Sequence, residues 1–211
     1  MNIDSSIVEA TPASSGLAAL LAKAFADDPV MAYIIPQQQG RLQRIEGIMQ
    51  LAIKTYRHSG LIETVAGRSA AVWQRPSPGE PSLLAVILNS LEAMVRLRGA
   101  VDRAQQVQRI TAAARIAQPH WYLAIIGTDP ACRGQWQGGA SLASQLLLSV
   151  LKRCDQQQLP AYLESSNYHN LGFYRRFGFE VTQTLQLPDG PAMWAMVREP
   201  EAGQSSVAFY Q

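Results

Sequence analysis

The stretch from His120 to Val150 limits the possible folds more than any other part of the chain. HWYLAIIGT, residues 120–128, is dense in aromatic and β-branched side chains and reads as a strand. The loop DPACRGQWQGG follows, and the pattern after it reads as a long helix ending near Gln157. A helix that starts directly beyond a strand offers unpaired backbone N–H groups and the positive end of its dipole, which suits a phosphate. From Gly134 to Val150 no side chain is charged, so an anion there would rest on backbone amides, with Arg133 as the nearby cation. A Gly-rich turn before a buried amphipathic helix produces the same pattern, and the glycine spacing alone favours that plainer reading. Neither Gly-x-Gly-x-x-Gly nor Gly-Lys-Ser/Thr occurs in the loop, so it carries no dinucleotide fingerprint and no P-loop.

Composition narrows the class. The chain has 211 residues, 47% hydrophobic and 16% charged. Surface scaling lets a chain of this size bury about 70% of its unfolded surface, enough for one sizeable core. One domain over residues 1–198 is therefore expected, with 199–211 (EPEAGQSSVAFYQ) as a loose tail. The charged fraction lies below the ~25% usual for globular domains, and Gln, present 20 times, takes up polar surface instead. The apolar run Leu83–Leu88 is far too short to span a bilayer. The N-terminal residues lack the basic start and apolar stretch of a secretory signal. Cys132 and Cys154 form neither a disulfide framework nor a metal-ligand spacing. A reducing, cytoplasmic location is expected on these grounds. A net charge of +2 does not argue for a nucleic-acid partner.

Around the central stretch, Ile7–Ala10 is a short β-like start closed by Thr11-Pro12. Leu17, Leu20, Leu21, Ala24 and Phe25 mark one face of a helix, capped by Ser14 or Ser15 and ended by Asp28-Pro29. A second helix runs from about Arg41, with Gly60 as its C-terminal glycine. Leu61–Ala66 and Ser69–Gln74, joined by Gly67-Arg68, read as a hairpin. Pro76, Pro78, Gly79 and Pro81 interrupt the chain, and Ser82–Ala117 reads as two helices split near Gly99. Arg96–Arg115 holds five Arg and one Asp, a pattern that reads as a solvated helix face rather than an RNA surface, since no interleaved aromatics accompany it. Pro160–Ser166 is a strand, Tyr168–Phe177 a short helix, and Phe179–Leu185 and Met193–Arg198 are the last strands.

Beyond the long helix lies a second constellation, NYHNLGFYRRFGF, from Asn167 to Phe179. With the loop Arg133–Gly138, it resembles the GNAT superfamily of acyl-CoA-dependent N-acetyltransferases. The loop is similar to the family's Gln/Arg-x-x-Gly-x-Gly/Ala. Asn167, Tyr174 and Gly178-Phe179 are similar to its Asn-x-x-x-x-x-x-Tyr-x-x-x-Gly-Phe. AFADDP (24–29), HWYL (120–123), YLESSN (162–167) and GFYRRFGF (172–179) together resemble the puromycin N-acetyltransferase-like subgroup, over about Ile7–Arg198. The resemblance implies an α/β (α+β) fold: a mixed, twisted sheet of about seven strands flanked by helices, with an inserted helical pair before the fourth strand. Trp136 stands where the family pattern has its first glycine. Its indole either turns outward and leaves the amides free, or covers the cradle.

The same resemblance implies acetyl-CoA as cosubstrate, no metal, and direct attack by the primary amine of a small molecule. An alternative is a catalytically silent acyl-CoA-binding or interaction module on the same scaffold. Ile126, Gly127 and Thr128 would meet the pantetheine arm in a gap between the fourth and fifth strands. Arg133, Gly134, Gln135, Trp136, Gln137, Gly138 and Gly139 would meet the pyrophosphate, and Asn167 and Asn170 the cofactor's pantetheine side. Tyr174 matches the family's general acid, and an aromatic merely packing beside Phe173 and Phe177 would look the same. Strand alternation puts Glu164 on one face with Tyr162 and Ser166, which makes it the base candidate; His120 and Glu63 are further options. Phe25, Asp28, Tyr33 and His120 would wall the acceptor pocket, where Asp27 or Asp28 could attract a cationic amine. The expected partners are a small amine, no nucleic acid and no membrane, in a monomer or homodimer.

Overall fold

Side chains alternate across the strands, so each buried strand feeds two cores, one on each face of a single sheet. The computed structural model describes residues 7–9, 16–76, 100–137 and 139–201. In chain order the elements begin with β1 (Ile7–Glu9), α1 (Leu17–Ala24), α2 (Pro29–Ile34) and α3 (Arg41–Ser59). Next come β2 (Gly60–Val65), β3 (Ser69–Gln74), α4 (Val101–Ala114) and β4 (Trp121–Thr128). They end with β5 (Trp136–Gln137), β6 (Ala140–Ser141), α5 (Leu142–Gln157), β7 (Ala161–Ser165), α6 (Leu171–Arg175), β8 (Glu180–Gln186) and β9 (Ala192–Arg198).

Seven strands form one sheet in the order β1-β2-β3-β4-β7-β9-β8. Only the β4–β7 pair is parallel, so the sheet is mixed, as expected. One face carries α1, α2, α3 and α4 on Val72, Tyr122, Tyr162 and Ala195. The other carries α5 and α6 on Trp73, Trp121, Leu163 and Met196. Adjacent residues of one strand thus enter opposite cores. Of the inserted helical pair, α4 is the second member; the expected first member, with the Pro/Gly cluster beyond Pro76, lies outside the described residues, as do Ser14, Ser15, Arg96, Arg98 and residues 202–211. No described helix is long and apolar enough to cross a membrane.

Several local expectations change. The described cap of α1 is Gly16, with no side-chain hydrogen bond. Asp28-Pro29 does not simply end α1: it starts α2, with Asp28 Oδ1 accepting from the N–H groups of Val30 and Met31 at 2.9 Å each and proline at the first helical position. Six residues are too few to show a helical period, which is why the pattern missed α2. Gly60 is extended (φ −113°, ψ −163°) rather than left-handed. A Cβ there would stand 2.5 Å from the Trp73 carbonyl oxygen and 2.9 Å from Tyr56 Cβ, so close approach of backbones requires the glycine. The arginine run divides: Arg103 donates to the Tyr33 carbonyl (2.8 Å) and lies over its ring, Arg115 turns inward, and Arg109 stays exposed.

One ion pair fixes the segment after α6. Arg198, 5% exposed, pairs through both terminal nitrogens with Asp155 (2.7 and 3.1 Å) and donates from Nε to the Phe177 carbonyl (3.0 Å). Burial alone would raise the Asp155 pKa, but Arg198 and the Glu201 N–H outweigh it and hold the carboxyl below its ordinary value. Asp155→Ala would leave a buried guanidinium with the exposed Glu201 carboxylate, 3.3 Å from Nη2, as its remaining ion-pair partner. It should cost about 3 kcal/mol, read as a lower urea midpoint. In the parent protein this contribution is complete above the ordinary carboxyl pKa and fades as pH falls through the lower folded-state value.

Candidate active site

β4 and β7 pair at Trp121–Ala161, Tyr122–Tyr162 and Leu123–Leu163, and no further. On its other edge β4 slips against β3: Trp73 faces Leu123 while Val72 faces Ile125, so Ala124 is an extra residue. A bulge of this kind bends a strand and ends its pairing. Beyond it β4 and β7 enclose a cleft of about 430 Å³.

The cleft gathers most of the residues singled out from the sequence. Ile126, Gly127 and Thr128 line it from β4, Arg133, Gly134 and Gln135 from the loop, and Asn167, Asn170 and Tyr174 from the far wall. The first turn of α5 contributes Leu142 and Ala143, while Ser141 caps the Ser144 N–H (3.2 Å). Gly127 is needed for packing as well: a Cβ would meet Ala24 Cβ at 2.8 Å, where α1 crosses β4. Arg133 Nη2 donates to the Ala24 carbonyl (3.0 Å), tying the loop to the end of α1. Trp136 is 71% exposed and outside the cleft lining, so its indole faces solvent. Gly139 does not line the cleft either, and Gly138 and the Gln137 side chain lie outside the described residues. The stretch read as plain loop instead pairs Trp136 with Ser141 and Gln137 with Ala140. Asn167 Oδ1 accepts from the His169 N–H (3.0 Å). One cation had no signal in the local sequence: Arg68, in the β2–β3 turn, reaches Gln135 Oε1 at 3.5 Å.

A second cavity, of about 110 Å³, opens from the cleft. The two share Phe25, Asp28, Ala124, Ile125, Glu164 and Ser166. Glu164 therefore stands at the junction. Burial pushes its pKa up to about 7, against the opposing effects of Tyr122, the Arg115 charge and Tyr162. The Tyr162 hydroxyl is buried and outside ordinary hydrogen-bond geometry, so its effect on Glu164 is that of a nearby dipole. Arg115 lies over the Tyr122 ring at 4.0 Å and donates to Gln74 Oε1 (2.8 Å) and His120 Nε2 (3.1 Å). Tyr122 and Arg115 were missed from the sequence, although strand alternation puts Tyr122 on the same face as Tyr162.

Other candidates are engaged elsewhere. His120 Nε2 accepts from Arg115, and Nδ1 sits 2.6 Å from the Gln118 carbonyl, which fixes a neutral ring with its proton on Nδ1. Burial also lowers its pKa, and it lines neither cavity. Tyr33 is likewise outside both, its hydroxyl 2.5 Å from Gln106 Oε1 and 2.9 Å from the Pro188 carbonyl. Glu63 is buried against Ser149 and Arg153. Asp28 does line the site, but besides the two α2 amides it accepts from Ser166 Oγ; burial raises its pKa. Tyr174 is buried among Phe173 and Phe179, and burial, then the Asp28 charge, push its pKa up.

No family model matches the chain. Over 84 residues it is 34% identical to an uncharacterized N-acetyltransferase of Schizosaccharomyces pombe, a match covering 38% of this chain. The chain spans about a third of the length of that curated relative, 32%. Among solved structures, it is similar to a histone acetyltransferase HPA2 and related acetyltransferase of Corynebacterium glutamicum, with TM-score 0.69, 23% identity and coverage of 94% and 98% of the two chains. It is also similar to a mosquito arylalkylamine N-acetyltransferase-like protein, with TM-score 0.57, 12% identity and coverage of 92% and 100%. The chain has the fold of the GNAT acetyltransferases.

The raised Glu164 pKa has a consequence for stability. A carboxyl that holds its proton more tightly when folded destabilises the fold once ionised: the penalty is absent below the ordinary value of 4.5 and complete above about 7. Glu164→Gln should therefore raise the melting temperature at pH 8 and leave it nearly unchanged at pH 4, as read by thermal unfolding at both values.

Proposed function

We propose that the protein is an N-acetyltransferase that moves an acetyl group from acetyl-CoA to a primary amine of a small molecule within a ternary complex. The observation that carries this reading is the meeting of two spaces at one carboxylate. A long cleft ending at the first turn of α5 suits a phosphorylated acyl donor, and a small buried cavity suits an acceptor, with Glu164 between them. Acetyl-CoA supplies the activated acyl group. Ile126, Gly127 and Thr128 with Asn167 and Asn170 hold its pantetheine arm. Arg133, Gly134, Gln135 and the amides of Leu142 and Ala143 face its phosphates, with Arg68 nearby.

Glu164 takes a proton from the bound ammonium. A pKa near 7 lets it do so at neutral pH while remaining a useful acceptor. The freed nitrogen lone pair attacks the thioester carbonyl carbon, and as the C–S bond breaks Tyr174 donates its phenolic proton to the departing sulfur. The second proton shed by the attacking nitrogen passes through the open cleft to solvent, and solvent reprotonates the Tyr174 phenolate. Its raised pKa keeps the phenol protonated. Such a phenol is a weak acid, so its proton moves as the C–S bond breaks and negative charge builds on the sulfur. Trp136, facing solvent, leaves the cleft side of the loop open. The segments that resemble the puromycin N-acetyltransferase-like subgroup include Phe25, Asp28 and Glu164, which lie at the junction; this supports the subgroup assignment without naming the acceptor.

A second reading, a silent acyl-CoA-binding module, draws on the β5–β6 hairpin, which pairs backbone where the family pattern expects free amides. The two readings separate cleanly. Saturating acetyl-CoA should raise the melting temperature by roughly 5–10 °C under either, whereas release of free thiol on adding an amine belongs to the enzyme alone. Absence of any shift would sink both. Tyr174→Phe should lower kcat by about 100-fold and keep the acetyl-CoA-induced shift; unchanged turnover would remove the acid assignment. kcat/KM should rise with pH through a midpoint near 7, and Glu164→Gln should abolish that limb.

A further inference from the structure

We infer that the acceptor is a compact primary monoamine with an apolar tail, and that the cavity behind Glu164 rejects amines carrying a second positive charge. This rests on the transferase reading for its chemistry, but on the cavity alone for its selectivity. Among the described residues lining that cavity, the carboxylates are Glu164 and Asp28. Asp28 is largely engaged at the junction: Oδ1 accepts from two backbone amides of α2, and Oδ2 accepts from Ser166. The Ser166 hydroxyl is engaged by the same contact. Thr111 Oγ1 is turned to its own helix, donating to the Val107 carbonyl (3.0 Å). Glu164 is thus left as the anionic partner for one amine, placed where the cavity meets the cleft.

Deeper in, the walls are Ile34, Ile48, Met49, Val107 and Met193, each at most 5% exposed. An aliphatic or single-ring tail buries its apolar surface there, and the methionines adjust to its shape. A second ammonium would lose its hydration among methyl groups that accept no hydrogen bond and thioethers that accept only weakly. Arg115 adds to this. It already places a positive charge close enough to act on Glu164, and its Nη1 is buried with no acceptor among the described residues. Both lining carboxylates, Glu164 and Asp28, stand at the junction, which leaves none beside a charge carried deeper into the cavity.

A matched pair of probes tests this: pentylamine and 1,4-diaminobutane, of equal chain length, differing by a terminal methyl against a terminal ammonium. With acetyl-CoA saturating, thiol release should give pentylamine a kcat/KM higher by about 100-fold or more. Thr111→Asp, which sets a carboxylate in the deep wall, should narrow or invert that ratio. Comparable turnover of the two amines by the unaltered protein would overturn the inference, whatever the variant does. Calorimetric titration of each amine into the CoA-saturated protein separates this inference from the transferase reading. Binding of pentylamine but not 1,4-diaminobutane, without any thiol release, would remove the transferase reading and uphold the selective cavity. Equal binding of both would remove the selective cavity even if thiol were released.

Discussion

Parallel pairing between β4 and β7 runs from Trp121–Ala161 to Leu123–Leu163 and stops there, because the extra residue Ala124 bends β4 away. A parallel pair that continued would close the sheet and bury both strands from end to end. The interruption leaves the carboxyl ends of two central strands facing each other across a cleft. It also places Ala124 and Ile125 on the boundary between the cleft and the smaller cavity. Glu164, one residue past the last β4–β7 pair but still paired with Ala195 of β9, is consequently held at the junction. The rest of the site is arranged around that break.

Asp28 joins the site's parts. It caps α2, receives Ser166 from the chain just past β7, and its charge reaches Tyr174 on α6. In a medium of low effective dielectric these groups cannot titrate independently. Glu164 is raised toward neutrality by burial and restrained by Arg115, while Tyr174 is raised by burial and by Asp28. One end of the site is thereby set to accept a proton near neutral pH, and the other to hold one. The separation arises from burial shared by both groups and from unlike charged neighbours, Arg115 for one and Asp28 for the other.

Long elements were legible in the sequence because their periodicity repeats. α3, α5 and the β2–β3 hairpin fall where the pattern puts them, within a few residues. Short or cap-driven elements were not. α2 has six residues and no period, and only the Asp28 cap with Pro29 marks its start. The β5–β6 hairpin looks like loop because two-residue strands have no alternation to read. Of the candidate site, Ile126–Thr128, Arg133–Gln135, Glu164, Asn167 and Tyr174 share one cleft, whereas Tyr33 and His120 are engaged outside it. Their residue types fitted an amine pocket, but His120's hydrogen bond from Arg115 is a tertiary contact that no local pattern displays.

The sequence by itself determined the strand–loop–helix, the absence of charge from Gly134 to Val150, and the Asn167–Tyr174–Gly178 spacing. These are properties of neighbouring residues, set by propensity, period and side-chain type. Only the tertiary structure decided that Asp28 is a cap, that the Arg115 charge acts on Glu164, that Arg68 stands beside Gln135, and that Gly60 and Gly127 are required by close packing. Each of these depends on groups brought together from distant parts of the chain. Burial and electrostatic environment belong to that assembled neighbourhood, and so the function of a carboxylate such as Glu164 is fixed only when the fold closes around it.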